Sequence, residues 1–287
     1  MDTTPSPADP PTSTALRLAG RDALALLHRI STNLLDDLAP GQARATLFCD
    51  FRGRLLHRAV VGVTMDGAVW MLREDAPGAA LAAFLDRHIF RDDVRIEDHS
   101  ATVPVFRALD AAGLAPATLA ERDGIPNTLH LADGTVLVAG DGAGARADGV
   151  GAVADRRRIL AGRPAHGHEI AESFTPFEVG LAHEVHLDKG CFTGQETLMR
   201  LITYKSVRRR LARVGGGGAA PAVPADLVAG GEPAGVLTSA VADGERWAGL
   251  AVLRNEVCEP PRALELPGGV PIGLPEPLRL TRPLGRG

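Results

Sequence analysis

The residues best suited to chemistry lie in one short segment, Lys189-Gly190-Cys191-Phe192-Thr193-Gly194-Gln195-Glu196. Glycines on both sides of Cys191 permit backbone conformations that other residues resist. A helix predicted to begin at about Gln195 presents unpaired amide groups that attract an anion, and Lys189 adds positive charge. Both features favour the ionised thiolate, so the pattern predicts a reactive cysteine. A small buried cysteine in a tight loop is the alternative.

The first turn of that helix carries two further polar residues of the segment. Glu196 is suited to a helix N-terminus because its negative charge opposes the helix dipole. The amide of Gln195 could cap the helix or hold a ligand. The sequence therefore predicts a loop, from Lys189 to Glu196, that binds a ligand and presents a thiol.

Two histidines precede this segment in His183-Glu184-Val185-His186. The pattern resembles a zinc-protease motif, but Leu187 occupies the position of the second histidine. On a predicted helix from Phe177 to His186 the two histidines would share a face and could pair with Cys191. No third orienting group is evident, so we expect packing or surface histidines and no metal site.

Two other patterns suggest alternative ligands. The stretch from Gly140 to Ala145 fits the glycine pattern of dinucleotide-binding loops, but the glycines that follow it disfavour the required helix, and we interpret it as a surface loop. Basic runs at Arg156–Arg158 and at Lys205 with Arg208–Arg210 could contact RNA phosphates. Tyr204 is the only nearby aromatic residue for base stacking, so direct RNA binding is disfavoured but kept as an alternative.

The elements that must position the segment alternate between helix and strand. The spacing of apolar residues predicts a helix from Asp22 to Leu38 and another from Pro77 to about Phe90. Strands are predicted at Ala43–Cys49, Leu55–Val63, Ala68–Leu72, Val94–Glu97 and Val103–Ala108, with a hairpin turning on Asp133-Gly134. After Val207, further strands turn on Asp243-Gly244 and predict a separate all-β unit. The fold class is therefore α+β.

The composition of the chain bears on its binding partners and its cellular compartment. The chain has 287 residues, 45% of them apolar, and a net charge of −4, which disfavours a nucleic-acid coat or an anionic membrane as the main partner. Cys49, Cys191 and Cys258 match neither a disulfide framework nor a paired metal site, which predicts a reducing compartment. Residues 1–14 are predicted to be a disordered leader, and no apolar run is long enough to span a membrane. We therefore expect a cytoplasmic protein.

The segment from Lys189 to Glu196 resembles the K-G-C-[FY]-x-G-Q-E signature of the YgfZ family, the iron-sulfur-maintenance relatives of glycine-cleavage T-protein. The resemblance covers most of residues 15–253 in the same order. Its other blocks are Leu18–Asp22, Pro40-Gly41, Asp50–Arg54, Thr175–Leu181, Gly235–Ala240 and Gly249–Arg254.

The resemblance implies a T-protein-like fold, with two interlocked α+β (ferredoxin-like) units around a central opening and an appended C-terminal β-barrel. It places the folate-binding region at residues 15–205 and the barrel at residues 206–287. It implies tetrahydrofolate or a folate derivative bound in the opening. It ties the signature cysteine to assembly or repair of iron-sulfur proteins, including tRNA-modifying enzymes, so client proteins or assembly machinery are the implied partners.

T-proteins transfer a one-carbon unit with the help of an aspartate that follows an Asn-Ala-type turn. The corresponding place here reads Met71-Leu72-Arg73-Glu74-Asp75-Ala76-Pro77, which lacks the Asn-Ala context. Asp75 is therefore interpreted as a charge at a helix N-terminus. The glycine-tyrosine folate motif of T-proteins is also not seen between Gly149 and Gly167. Both differences favour a non-enzymatic role, with a tetrahydrofolate-dependent aminomethyltransferase or other one-carbon enzyme as the alternative.

Overall fold

The computed structural model describes residues 13–109, 113–140 and 151–285, and these form two compact units. The first unit takes residues 13–30, 34–46, 59–109 and 113–140. The second takes residues 31–33, 47–58 and 151–285. The second unit is therefore assembled from three separate parts of the chain, two of which are short insertions between parts of the first.

A nine-stranded sheet contains the strands up to Ala139 in the described part of the chain. In chain order they are β1 (Thr14–Ala19), β2 (Gln42–Cys49), β3 (Leu55–Val63), β4 (Val69–Arg73), β5 (Arg95–Asp98), β6 (Val105–Arg107), β7 (Thr118–Arg122), β8 (Ile125–His130) and β9 (Val136–Ala139). Their order in the sheet is β5-β1-β4-β3-β2-β7-β8-β9-β6. The core of the first unit packs around Trp70, Leu72 and Leu129.

A second sheet begins at Arg209 and has seven strands among the described residues. They are β10 (Arg209–Gly217), β11 (Ala225–Ala229), β12 (Glu232–Asp243), β13 (Arg246–Arg254), β14 (Leu264–Leu266), β15 (Val270–Ile272) and β16 (Glu276–Pro277), in the order β15-β14-β11-β12-β13-β10-β16. Its core includes Leu237, Trp247 and Leu253.

The helices are short. They are α1 (Ala23–Ile30), α2 (Ala79–Asp86), α3 (Ala152–Leu160), α4 (Gln195–Thr203) and α5 (Asn255–Cys258), with a 3-10 helix at Ala182–Glu184. Helices and largely antiparallel sheets in one chain confirm the α+β class. The predicted strands at β2, β3 and β4 are confirmed, and so are the hairpins that join β8 to β9 and β12 to β13.

The first predicted helix is wrong in length, because α1 ends at Ile30 and not at Leu38. Ser31, Thr32 and Asn33 follow it and are buried. The amide of Thr32 donates to the carbonyl oxygen of Leu47 at 2.9 Å, outside any helix. Tertiary hydrogen bonding therefore ends the helix although the apolar spacing continues.

The predicted helix from Phe177 to His186 is also wrong. The segment consists of turns and the short 3-10 helix Ala182–Glu184. Gly180 adopts φ +79°, a left-handed conformation that interrupts an α-helix, and the amide of Leu181 donates to the carbonyl oxygen of Pro176. His183 and His186 therefore do not share the face of an α-helix.

Several elements were not predicted, among them β1, β7 and α3. β1 begins at Thr14, which is buried, at the last residue of the predicted leader. α3 occupies the arginine-rich stretch, where the glycines before it obscured the helical pattern. Most of the predicted surface loop from Gly140 to Ala145 lies outside the described residues. The predicted boundaries at residues 14 and 205 stay predictions.

Candidate functional site

Cys191 is the exposed member of three free cysteines. Cys49 and Cys258 are buried, and burial raises the pKa of both thiols. Since the thiolate is the nucleophile and the metal ligand, raised pKa values and burial leave these two thiols inert. Cys191 is thus the cysteine whose sulfur is open to solvent.

The side chain of Lys189 supports the Cys191 loop from its buried side. Lys189 is only 8% exposed, and its Nζ donates to the carbonyl oxygen of Ser31 at 2.7 Å. The same ammonium lies 5.3 Å from the ring centroid of Phe192, within range of a cation–π interaction. Phe192 is itself part of the core of the second unit. The residues on either side of Gly190-Cys191 are therefore anchored, while the cysteine faces outward.

The two glycines of the segment have different tasks. Gly194 immediately precedes α4 with φ +84°, and a Cβ there would lie 2.5 Å from the carbonyl oxygen of Asp50. Gly190 has φ +105°, and a Cβ there would meet nothing within 4 Å. Gly194 therefore permits close packing between two backbones, whereas Gly190 serves a turn at the surface.

The turn from Asp50 to Arg54 packs against Gly194 and α4. Oδ1 of Asp50 accepts hydrogen bonds from the amides of Arg52 (2.8 Å) and Arg54 (2.7 Å), which fixes the turn. Thr197 of α4 donates from Oγ1 to the carbonyl oxygen of Phe51 at 3.3 Å. Two blocks of the resemblance that are about 140 residues apart in sequence are therefore neighbours in the second unit.

Gln195 closes the loop on itself. Its Nε2 donates to the carbonyl oxygen of Leu187 at 3.0 Å, which ties the start of α4 to the residues before Lys189. Glu196 is exposed and pairs with Arg200 one turn later at 2.6 Å. Thr193 is exposed beside Cys191. The predicted ligand-binding role of these residues stays a prediction.

Sequence reasoning missed the polar residues that lie beneath the loop. Thr32 Oγ1 donates to the carbonyl oxygen of Glu184 at 2.8 Å and accepts from the amide of Leu47 at 3.2 Å. Ser31 supplies the carbonyl that holds Lys189. The available signal was a run of three polar residues, Ser31-Thr32-Asn33, directly after the apolar face of α1.

A buried ion pair between Arg58 and Glu184 was missed as well. Arg58 donates to both carboxylate oxygens of Glu184, with three contacts of 2.7–3.0 Å. The amide of Arg58 donates to Nε2 of His166 at 3.0 Å, and Nε2 of His183 lies 3.7 Å from Glu184. These contacts place His183 in a structural network, as the packing interpretation expected, and they include His166 in the same network.

The predicted basic runs are largely paired with acids. Arg156 contacts Asp243 at 2.7 Å, and Arg158 contacts Asp155 at 2.8 Å. Ion pairs also link Arg209 to Glu178 and Arg210 to Glu259.

The interpretation of Asp75 as a helix charge is wrong, because α2 begins only at Ala79 and has no acidic residue in its first turn. Asp75 lies beside Arg73, whose guanidinium is buried and donates to Thr14 Oγ1 at 2.8 Å and to the carbonyl oxygen of Ala76 at 3.2 Å. Burial lowers the pKa of Arg73, and the charge of Asp75 acts in the opposite direction. Asp75 therefore offsets a buried cation.

No protein-family model matches the chain. It is 27% identical over 257 residues to the chloroplastic "Putative transferase At1g60990" of Arabidopsis thaliana, covering 78% of this chain and 59% of that protein. It is 27% identical over 217 residues to an aminomethyltransferase of Prosthecochloris aestuarii, covering 62% of this chain and 59% of that protein. The chain thus spans about three fifths of the length of these two relatives.

No helix in the described residues is long and apolar enough to cross a membrane.

The fold matches a solved structure. Glycine cleavage system aminomethyltransferase T from Bartonella henselae superimposes with a TM-score of 0.74 at 16% identity, covering 93% of this chain and 83% of that one. The chain therefore has a T-protein-like fold and is similar in sequence to aminomethyltransferases.

Proposed function

We propose that this protein binds tetrahydrofolate and supports the assembly or repair of iron-sulfur proteins in the cytoplasm through the thiol of Cys191. The observation that carries the proposal is the exposed Cys191 sulfur on a loop whose other parts are fixed. Folate binding is supported by the T-protein-like fold and by relatives named aminomethyltransferases. The iron-sulfur role is supported by the resemblance of the Cys191 segment to the YgfZ signature.

The loop is suited to presenting a thiol. Holding a short segment in one conformation costs about 1–2 kcal/mol per residue in backbone entropy. Here the charge-assisted Lys189–Ser31 bond contributes about 1.5–3 kcal/mol and the neutral Gln195–Leu187 bond about 0.5–1.5 kcal/mol, which offsets part of that cost. Cys191 takes no part in these bonds and keeps its sulfur for a partner.

The chemistry of such a thiol is nucleophilic or ligating. A thiolate can coordinate iron, exchange with a disulfide, or take the outer sulfur of a persulfide whose own thiolate then leaves, and each of these reactions requires the Cys191 sulfur to be accessible. In this proposal folate is held by the T-protein-like fold, and the client protein meets the Cys191 loop.

A tetrahydrofolate-dependent one-carbon transferase is the second candidate, favoured by the names of the relatives. A transferase needs a base that reaches the reacting group. Asp75 is the acid at the corresponding place, and it already offsets the buried charge of Arg73. This observation favours the accessory role over the transferase.

The test combines ligand binding and complementation. Tetrahydrofolate is titrated into the wild type and the Cys191→Ala variant, and both are expressed in a strain deficient in iron-sulfur protein maintenance. We expect equal folate binding and loss of rescue by the variant. Full rescue by Cys191→Ala would remove the thiol role. Turnover of an aminomethyl or N-methyl donor with folate would favour the transferase.

A further inference from the structure

A cavity of about 310 Å³ in the second unit is lined by four arginines, Arg52, Arg54, Arg208 and Arg209. Of the described residues that line it, only Glu178 is acidic. The four guanidinium groups come from two distant parts of the chain, the turn after β2 and the start of β10 with the residue before it. A cavity with such a surplus of positive charge is suited to an anionic ligand.

Two of the arginines are already engaged. Arg209 contacts Glu178 at 2.7 Å and Arg54 contacts it at 3.4 Å, while both also donate to the carbonyl oxygen of Ser173. Thr175 donates to the same carboxylate through its amide and its hydroxyl. Glu178 therefore holds this wall of the cavity in place, and its one charge balances only one of the two guanidinium groups.

The other two arginines are open to a ligand. Among residues 13–109, 113–140 and 151–285, no hydrogen bond or ion pair engages the side chains of Arg52, Arg208 or Ser206. Arg52 lies over the ring of Phe51, with its guanidinium carbon 5.2 Å from the ring centroid, which orients it without using its N–H groups. Two guanidinium forks and a hydroxyl thus remain as donors beside a rigid wall.

From this arrangement we propose that the cavity binds a phosphate group of a small molecule. A phosphate monoester carries about −1.5 to −2 charge at neutral pH and offers three acceptor oxygens. A phosphate therefore neutralises the surplus positive charge of the cavity better than a single carboxylate does. The guanidinium groups of arginine also match the geometry of phosphate oxygens and can bind two of them at once. The volume is at the lower end of ligand pockets, enough for a phosphate and part of its attached group.

The site is next to the Cys191 loop. Arg52 and Arg54 belong to the turn that packs on Gly194, and Thr197 and Leu201 of α4 also line the cavity. A bound phosphate would therefore touch both elements on which the loop rests. It remains a separate site, because Cys191 is not among its lining residues.

Calorimetric titration with pyrophosphate, inorganic phosphate and citrate tests the assignment. The wild type is compared with the double variant Arg52→Gln and Arg208→Gln, and with Arg279→Gln as a control. Arg279 is an exposed arginine of the same unit outside the cavity. We expect saturable one-to-one pyrophosphate binding that exceeds citrate binding, a loss of about tenfold or more in the double variant, and no change in the control.

The double variant should fold, because neither arginine has an acidic partner to leave unpaired. A second variant pair, Arg52→Lys with Arg208→Lys, keeps the charge and should bind with intermediate affinity, and Ser206→Ala should weaken binding slightly. Equal citrate binding, unsaturable binding or an equal loss in Arg279→Gln would overturn the assignment. Binding of single-stranded RNA that exceeds pyrophosphate binding and depends on the same arginines would overturn it as well. Tetrahydrofolate affinity is measured in parallel and should not change, so this test is independent of the proposed function.

Discussion

The Cys191 loop and the segment from Arg73 to Pro77 are two places where the sequence suggested a reactive side chain, and they differ in construction. At the loop, the charged Lys189 is turned inward and the cysteine is exposed. At the other segment, Arg73 is buried and bound to Thr14, Ala76 and Pro77, with Asp75 offsetting its charge. The Cys191 loop leaves a thiol available as a nucleophile, whereas the charges of Arg73 and Asp75 serve to stabilise the fold.

Thiol labelling gives the largest contrast. In the folded protein we expect iodoacetamide to modify Cys191 completely while Cys49 and Cys258 stay unmodified, because burial blocks access and raises the pKa of both. Mass spectrometry of peptides locates the label. Labelling of all three cysteines at one rate in native buffer would contradict the described burial, and a denatured sample provides the control.

The close packing at Gly194 is the next most sensitive point. Gly194→Ala forces a side chain into a left-handed conformation and against the carbonyl oxygen of Asp50, so we expect about 2–4 kcal/mol of destabilisation. Gly190→Ala is the matched control in the same loop and should cost only about 1–2 kcal/mol, because nothing obstructs its Cβ. Urea denaturation measures both, and equal costs would show that Gly194 has no special packing role.

The inward direction of Lys189 gives a smaller effect. Lys189→Met keeps the apolar stem but removes the charge-assisted bond to Ser31, for an expected loss of about 1.5–3 kcal/mol. Lys205→Met is the control, since Lys205 is exposed. If Lys189→Met proved as harmless as the control in denaturation, the ammonium would not be an anchor.

The smallest effect concerns β1, the strand whose Thr14 accepts a hydrogen bond from Arg73. β1 pairs with β5, where Arg17 contacts Glu97 at 2.7 Å, and this hydrogen bond lowers the pKa of Glu97. A carboxyl group whose pKa is lowered in the folded state contributes stability above its unfolded pKa, and the contribution is lost as the pH falls through the folded value. Glu97→Gln should therefore reduce stability slightly at neutral pH and converge with the wild type in acid. A constant difference down to pH 2 in thermal melts would exclude this linkage.

The sequence alone was sufficient where the signal is local. Alternation and Asp-Gly turns gave β3 and the β12–β13 hairpin, and the segment before α4 indicated both a loop and an exposed thiol. Structure set by distant partners was missed. The end of α1 depends on Leu47, the direction of Lys189 depends on Ser31, and the turns around Gly180 replaced a helix that apolar spacing favoured. The local sequence pattern does not indicate which distant residues will become hydrogen-bonding partners.

The most direct test of the central claim is rescue of an iron-sulfur-deficient strain by matched variants. Asp75→Asn, compared at an equal level of folded protein because it leaves the buried charge of Arg73 less compensated, should rescue like the wild type, whereas Cys191→Ser should fail to rescue while still binding tetrahydrofolate. Full rescue by Cys191→Ser together with loss of function in Asp75→Asn would contradict the account and assign the chemistry to the other segment.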